Sequence, residues 1–250
     1  NLSLRVLARE DSGYHQIETF FQRLTLGDTV TLHVTEGERS LDVSGADTGP
    51  VERNLAWRAA VSYAQRTGWP KGWRIELEKR VPPGGGLGGG SADAGAVLRI
   101  LNRLNPSPLD AGSLLDIACS IGADVPFLTV DFPLALAWGR GERMLALHPL
   151  PARPVALWLY PFGVSTAEAF GWLTEDRSRG ASAPPASARA WTSESWSDWQ
   201  AVATSAVNDL ENPVLARHPE LAAGLEALSG GGAPVLARMT GTGSTLFSLP

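Results

Sequence analysis

Residues 82–92 read PPGGGLGGGSA, with six glycines among the seven positions 84–90 and Ser91 directly after them. Glycine loses more backbone freedom on ordering than any other residue, so such a run in front of a helical pattern asks for a chemical reason. A flexible linker does not run straight into a strongly periodic helix. Gly84, Gly86 and Gly89 satisfy the G-x-G-x-x-G spacing of a dinucleotide site. That site should follow a buried parallel strand, whereas the pattern here alternates and ends in Pro82-Pro83. A phosphate cradle needs successive backbone N–H groups converging on one anion at a helix start, with no side chain in the way. A Walker loop would carry Lys before Ser/Thr, but Gly90 precedes Ser91, so this cradle is of another kind. A tight glycine turn packed on a sheet leaves six glycines unexplained. Ser91 is placed to cap the helix and to face a phosphate or a metal.

Other candidates are quieter. Asp124, in GADVPF, stands among apolar residues and by itself reads as a turn residue. Tyr14 and His15, in EDSGYH, decorate a turn. Asn54, in NLAWRAA, reads as a helix N-cap, and Phe170, in STAEAF, as a helical core residue. Cys119, within DIACSIG, is the sequence's single cysteine; it excludes an internal disulfide and reads as a packed thiol.

The elements that must position these residues follow from periodicity. Leu2, Leu4 and Val6 alternate with polar residues, as do Val30, Leu32 and Val34, and again residues 73–81; each predicts a strand. Leu55, Ala59 and Tyr63 predict a helix begun by Asn54 and ended by Gly68. Ala94, Val97, Leu98, Leu101 and Leu104 predict an amphipathic helix from Ser91, stopped by Asn105-Pro106. Residues 109–121 and 219–228 predict further helices, and 235–249 a strand, a glycine turn and a strand. A buried-looking run, VALWLY (155–160), restarts the pattern and places a domain boundary at 151/152. The Ala/Ser/Pro-rich stretch 178–190 reads as a surface loop over an apolar patch that includes Trp191, Trp196 and Trp199. Strands mixed with helices, several alternating on one face, predict an α+β fold with antiparallel sheets.

Composition narrows the partners. Charged residues make up 19% and apolar residues 44% of the 250, the balance of a globular protein. A net charge of −5 argues against a general nucleic-acid grip. The sequence has no apolar run of transmembrane length and no visible signal peptide, so no membrane partner and a cytoplasmic setting are expected.

PPGGGLGGGSADA resembles the central motif P-x-G-x-G-L-G-S/G-S-S/A of the GHMP small-molecule kinases. NLSLRV, SGYHQIET, IGADVPF, GRGER, GVSTAEAF, NDLENPV and RMTGTGS resemble further family stretches in the same order. The GGGLGGGS form, with GYH and GADVPF, is closest to the branch that acts on a cytidine-diphosphate-linked sugar alcohol. The resemblance implies a two-domain α+β fold, mixed or antiparallel sheets with helices on one side, divided into an ATP-binding domain (1–151) and a second domain (152–250). It implies ATP and Mg²⁺. It implies nucleotide contacts from Pro82, Pro83, Gly84, Gly85, Gly86, Leu87, Gly88, Gly89, Gly90, Ser91 and Ala92, with Asn54 near the adenine. Asp124 becomes the residue that orients or deprotonates the acceptor hydroxyl. Tyr14 and His15 become the residues that hold a cytosine, with Phe170 as the opposite stacking face. Asn1, Gly241 and Thr242 fall on the acceptor side. The family's lysine belongs two positions before Asn1, upstream of this sequence, and the family continues past Pro250; both ends are therefore expected to be cut. A kinase with another acceptor and a non-catalytic nucleotide-binding module are the alternatives.

Overall fold

The computed structural model describes residues 1–183, 191–230 and 234–250. In chain order its strands are β1 (Ser3–Arg9), β2 (His15–Gln22), β3 (Thr29–Thr35), β4 (Arg39–Ser44), β5 (Gly72–Glu78), β6 (Leu134–Gly139), β7 (Arg143–Ala146), β8 (Ala156–Trp158), β9 (Leu236–Met239) and β10 (Leu246–Leu249). Its helices are α1 (Leu55–Thr67), α2 (Gly89–Leu104), α3 (Ala111–Ile121), α4 (Val125–Thr129), α5 (Thr166–Ser178), α6 (Trp199–Ser205), α7 (Glu211–Leu215) and α8 (Pro219–Gly230).

The chain forms two compact units. One comprises Asn1–Arg23, Gly84–Leu87 and Pro133–Pro250; the other comprises Leu24–Pro83 and Gly88–Phe132. A cut at 151/152 therefore does not separate them. The reason is pairing: β2 runs antiparallel to β6 from Ile17↔Gly139 to Gln22↔Leu134, so the first two strands belong with residues that follow 133.

In the discontinuous first unit, β1-β2-β6-β7 form one antiparallel sheet and β8-β10-β9 a second. The inward residues Leu4, Val6 and Ile17 pack with Leu173 of α5, Leu210 and Leu221. Phe20, Leu134 and Phe247 form a second cluster, against which Trp191, Trp196 and Trp199 pack; the apolar patch expected there is present. The part of the expected surface loop at 184–190 lies outside the described residues. The run 155–160 is not buried. Strand β8 takes only three of its residues, and Trp158 and Leu159 are 43% and 50% exposed.

In the second unit, β5 lies between β3, antiparallel, and β4, parallel, so the sheets are mixed. Strand β5 buries Trp73, Ile75 and Leu77 on one face, and Trp73 and Ile75 pack with Ala59, Ala60 and Tyr63 of α1 and Val97, Leu98 and Leu101 of α2. Asn54 caps α1, its Oδ1 accepting from the Ala56 N–H at 2.9 Å, and Gly68 ends it in the left-handed conformation. Helix α3 buries Ile117, Ala118 and Ile121; Cys119 falls on its other face and is exposed rather than packed.

Candidate active site

The glycine run passes from the first unit to the second between Leu87 and Gly88. Its first part packs on the protein itself. Gly86 has φ +75°, and a Cβ there would lie 2.7 Å from the carbonyl oxygens of both Thr240 and Gly243. The Thr245 N–H donates to the Gly85 carbonyl at 3.2 Å. Gly84 is equally close to the GVST segment, since a Cβ on Gly163 would lie 2.8 Å from the Gly84 carbonyl. Gly241 and Thr242, from the expected acceptor side, thus belong to the β9–β10 turn that holds the glycine run. Asn1 lies at that turn: its Oδ1 is 3.4 Å from where a Gly241 Cβ would be, and its Nδ2 donates to Thr19 Oγ1 at 2.7 Å.

The run's second part opens α2. Gly88 is the N-cap, at φ +70°, and no side chain caps this helix. Ser91 stands in the first turn rather than at the cap, because the helix starts two residues earlier than its apolar spacing predicts. Helix α4 packs on α2 so closely that a Cβ on Gly95 would lie 2.4 Å from the Leu128 carbonyl. Asp124 begins α4, but its carboxylate makes no capping hydrogen bond. Burial raises its pKa above the ordinary carboxylate value. Asp124 thus stands at the start of a helix that packs on α2, with no capping bond from its carboxylate.

Sequence reasoning missed a charged cluster behind this helix start. Lys79 is 6% exposed and sits between Asp28 and Asp93, 2.7 Å from the latter. Asp28 also accepts the backbone N–H groups of Arg80 and Val81 at 2.6 and 2.8 Å. Those donors, with Lys79, lower its pKa despite burial. Asp93 is more deeply buried and has Lys79 as its donor, and desolvation raises its pKa to about 6. The signal was available: Lys79 continues the inward register of Trp73, Ile75 and Leu77.

The aromatic candidates meet in the first unit. His15 and Phe170 stack with centroids 4.7 Å apart. Thr174 Oγ1, one turn along α5, lies 3.4 Å from His15 Nε2. Burial first, then the charges of Arg9 and Arg177, lower the His15 pKa, so the ring is neutral near pH 7. Tyr14 is 60% exposed. One face of its ring carries the Arg140 guanidinium at 4.2 Å, which Glu10 holds in turn. Phe170 backs the His15 ring. Arg140 and Thr174 had no role in the sequence reading. Asn54 uses its amide on the α1 cap and on Thr48, at 3.1 Å.

The GHMP kinases N terminal domain matches residues 54–131, from the cap of α1 through α4. A Moorella thermoacetica protein named 4-diphosphocytidyl-2-C-methyl-D-erythritol kinase is 39% identical over 251 residues, covering 100% of this chain and 86% of its own length. The chain belongs to the GHMP kinase family. A Pelotomaculum thermopropionicum kinase of the same name is 37% identical, with 100% and 85% covered. A crystal structure of 4-(cytidine 5'-diphospho)-2C-methyl-D-erythritol kinase superposes with a TM-score of 0.73 at 33% identity, covering 100% of this chain and 86% of that one. Membership makes this chain an ATP-dependent kinase, and the α+β fold is that of GHMP kinases. Among the described residues no helix is long and apolar enough to cross a membrane.

Proposed function

We propose that this kinase transfers the γ-phosphoryl group of ATP to the 2-hydroxyl of 4-diphosphocytidyl-2-C-methyl-D-erythritol, a step in making isoprenoid precursors. The observation that carries the reading is likeness over the whole chain to relatives of that name. The arrangement of residues supports it.

The free backbone N–H groups that open α2, from Gly88 to Ser91, hold the nucleotide phosphates, favoured by the positive end of the helix, with Ala92, whose N–H is bonded to the Gly88 carbonyl, directly behind them. Pro82, Pro83 and Gly84 to Leu87 shape the approach, and Asn54 borders the adenine while it caps α1. Asp124 orients the acceptor hydroxyl and takes its proton as the oxygen bonds to the γ-phosphorus and ADP leaves. Phosphoryl transfer is mainly positioning and charge stabilisation, so this carboxylate need not be a strong base. Tyr14 offers its free face to the cytosine, and His15, backed by Phe170, makes the hydrogen bond that reads the base. Asn1, Gly241 and Thr242 border the rest of the acceptor. Among the described residues no cluster of three His, Cys, Asp or Glu is placed for a metal. The Ser91 hydroxyl would help hold Mg²⁺, which would supply positive charge to the phosphate oxygens when bound. ATP and a nucleotide-linked polyol are cytoplasmic metabolites, and we place the enzyme there.

The test is ADP release with the cytidine-linked acceptor, the same polyol phosphate without cytidine, homoserine and mevalonate. Turnover only with the first is expected. Comparable turnover with homoserine or mevalonate would assign the chain to another acceptor.

A further inference from the structure

The segment Asn208–Glu211, within NDLENPV, has no part in the chemistry above, yet it touches both sides of it within the first unit. Asn208 donates both Nδ2 hydrogens, to the carbonyls of Met239 and Gly241, each at 2.9 Å. Glu211, 5% exposed, accepts the Met239 N–H at 2.8 Å and pairs with Arg238 at 2.9 Å. Together they fix the strand end from which the turn 240–243 grows. That turn supplies the two carbonyls against which Gly86 packs.

Asp209 faces the other way. Its Oδ2 accepts the Val6 N–H and an Arg177 N–H, each at 2.9 Å, while Arg177 also donates to the Val6 carbonyl at 2.9 Å. Arg177 lies two turns along α5 from Phe170 and one turn from Thr174, the two residues that hold the His15 ring. The brace itself is anchored to β1: the Leu4 N–H donates to the Val207 carbonyl, and the Asp209 N–H to the Leu4 carbonyl. Side chains of adjacent residues thus reach two separate parts of the site.

We propose that Asn208 and Asp209 are positioning residues with separable duties: Asn208 sets the turn that seats the glycine run, and Asp209 sets the helix that seats His15. The inference rests on the proposed phosphate and cytosine roles. A brace that merely stabilises the fold would, when weakened, affect both ligands alike or neither. A brace with two duties predicts opposite selectivity.

The test uses Asn208→Asp, which removes a donor group and sets a negative charge against two carbonyls, and Asp209→Asn, which removes the charge that holds Arg177. Dissociation constants for ATP and for the cytidine-linked acceptor are measured by calorimetry on the full chain, well below each variant's melting temperature. Asn208→Asp should weaken ATP about tenfold and the acceptor by less than about twofold, and Asp209→Asn the reverse, the scale of one or two lost hydrogen bonds. If Asn208→Asp does not fold, Asn208→Ser, which keeps one donor and adds no charge, reads the same split. Equal losses for both ligands, or a lower melting temperature with unchanged constants, overturn the inference. Gly90→Ala and His15→Ala are run beside them. If these controls lose ATP and acceptor affinity respectively while the brace variants show no split, the positioning roles alone fail. If the controls bind normally, the phosphate and cytosine roles fail and the inference with them.

Discussion

Gly86 and Gly90 stand four residues apart in one motif and are glycine for different reasons. At Gly86 the protein leaves no room: the backbone is left-handed, and two carbonyls of the β9–β10 turn occupy the space a side chain would take. At Gly90 the protein asks for nothing. The backbone angle is ordinary, the residue is exposed, and a Cβ would meet only Leu55 Cδ1 at 3.7 Å, an ordinary contact. The first glycine is required by the fold. The second is under no such demand, and in the proposed phosphate site it would let an anion come closer to the helix start than a methyl group allows. Asp124 shares that standing: it takes no part in capping α4.

The widest gap between the two kinds of residue is expected at Asp124. Asp124→Asn should lower turnover by roughly 10²–10⁴ with acceptor binding and melting temperature nearly kept; wild-type turnover in a full-length enzyme would remove Asp124 from the chemistry. Next comes Gly86→Ala. Strain at positive φ and a Cβ pressed on two carbonyls should destabilise by ~2–4 kcal/mol in urea unfolding. A change below about 0.5 kcal/mol would mean that the close packing at Gly86 is not real. Gly90→Ala should do the opposite, stabilising α2 by ~0.4–1 kcal/mol while weakening ATP about tenfold by calorimetry. Unchanged ATP affinity there would end the contrast. The smallest effect concerns Asp93. Its folded pKa of about 6 lies above the free value of 3.8. Between those values the folded protein holds a proton that the unfolded chain has released, so this residue makes stability rise as pH falls through that window. Asp93→Asn should flatten that part of the curve and raise stability at pH 8. A slope unchanged from wild type would place the titration elsewhere.

Much of this was legible in the sequence because it is local. Asn54 and Gly68 bound α1 as their capping chemistry requires, and Trp73, Ile75 and Leu77 declare the buried face of β5 by alternation. The glycine turn between β9 and β10 was visible in the same way. Long-range pairing was not. Nothing in residues 15–22 says that their partner is residues 134–139, and so the unit boundary was misplaced. The run 155–160 looked buried because apolar letters alone do not distinguish a covered strand from a short exposed one. In the candidate site, motif likeness is what points to Asp124 and the Tyr14-His15 pair. The contacts that orient them depend on tertiary placement: Arg140 on Tyr14, Thr174 on His15, Lys79 between two aspartates. Lys79 alone had a readable sign, its inward register, and was passed over because lysine is seldom buried.

The pairing of β2 with β6 has a consequence for the chain as it is made. Residues 24–83 and 88–132 leave the ribosome before β6 does, so the second unit can close while the β1–β2 hairpin waits with one edge unpaired. At ordinary synthesis rates the wait, on the order of a hundred residues, lasts roughly 5–20 s. An open strand edge invites pairing with another chain for that long. Ribosome-bound chains stalled so that residues up to about 132 have cleared the ribosome should therefore show a protease-resistant second unit and a cleavable hairpin, and chains exposed past β7 should protect both. A hairpin already resistant in the shorter chains would show that it folds without waiting for β6.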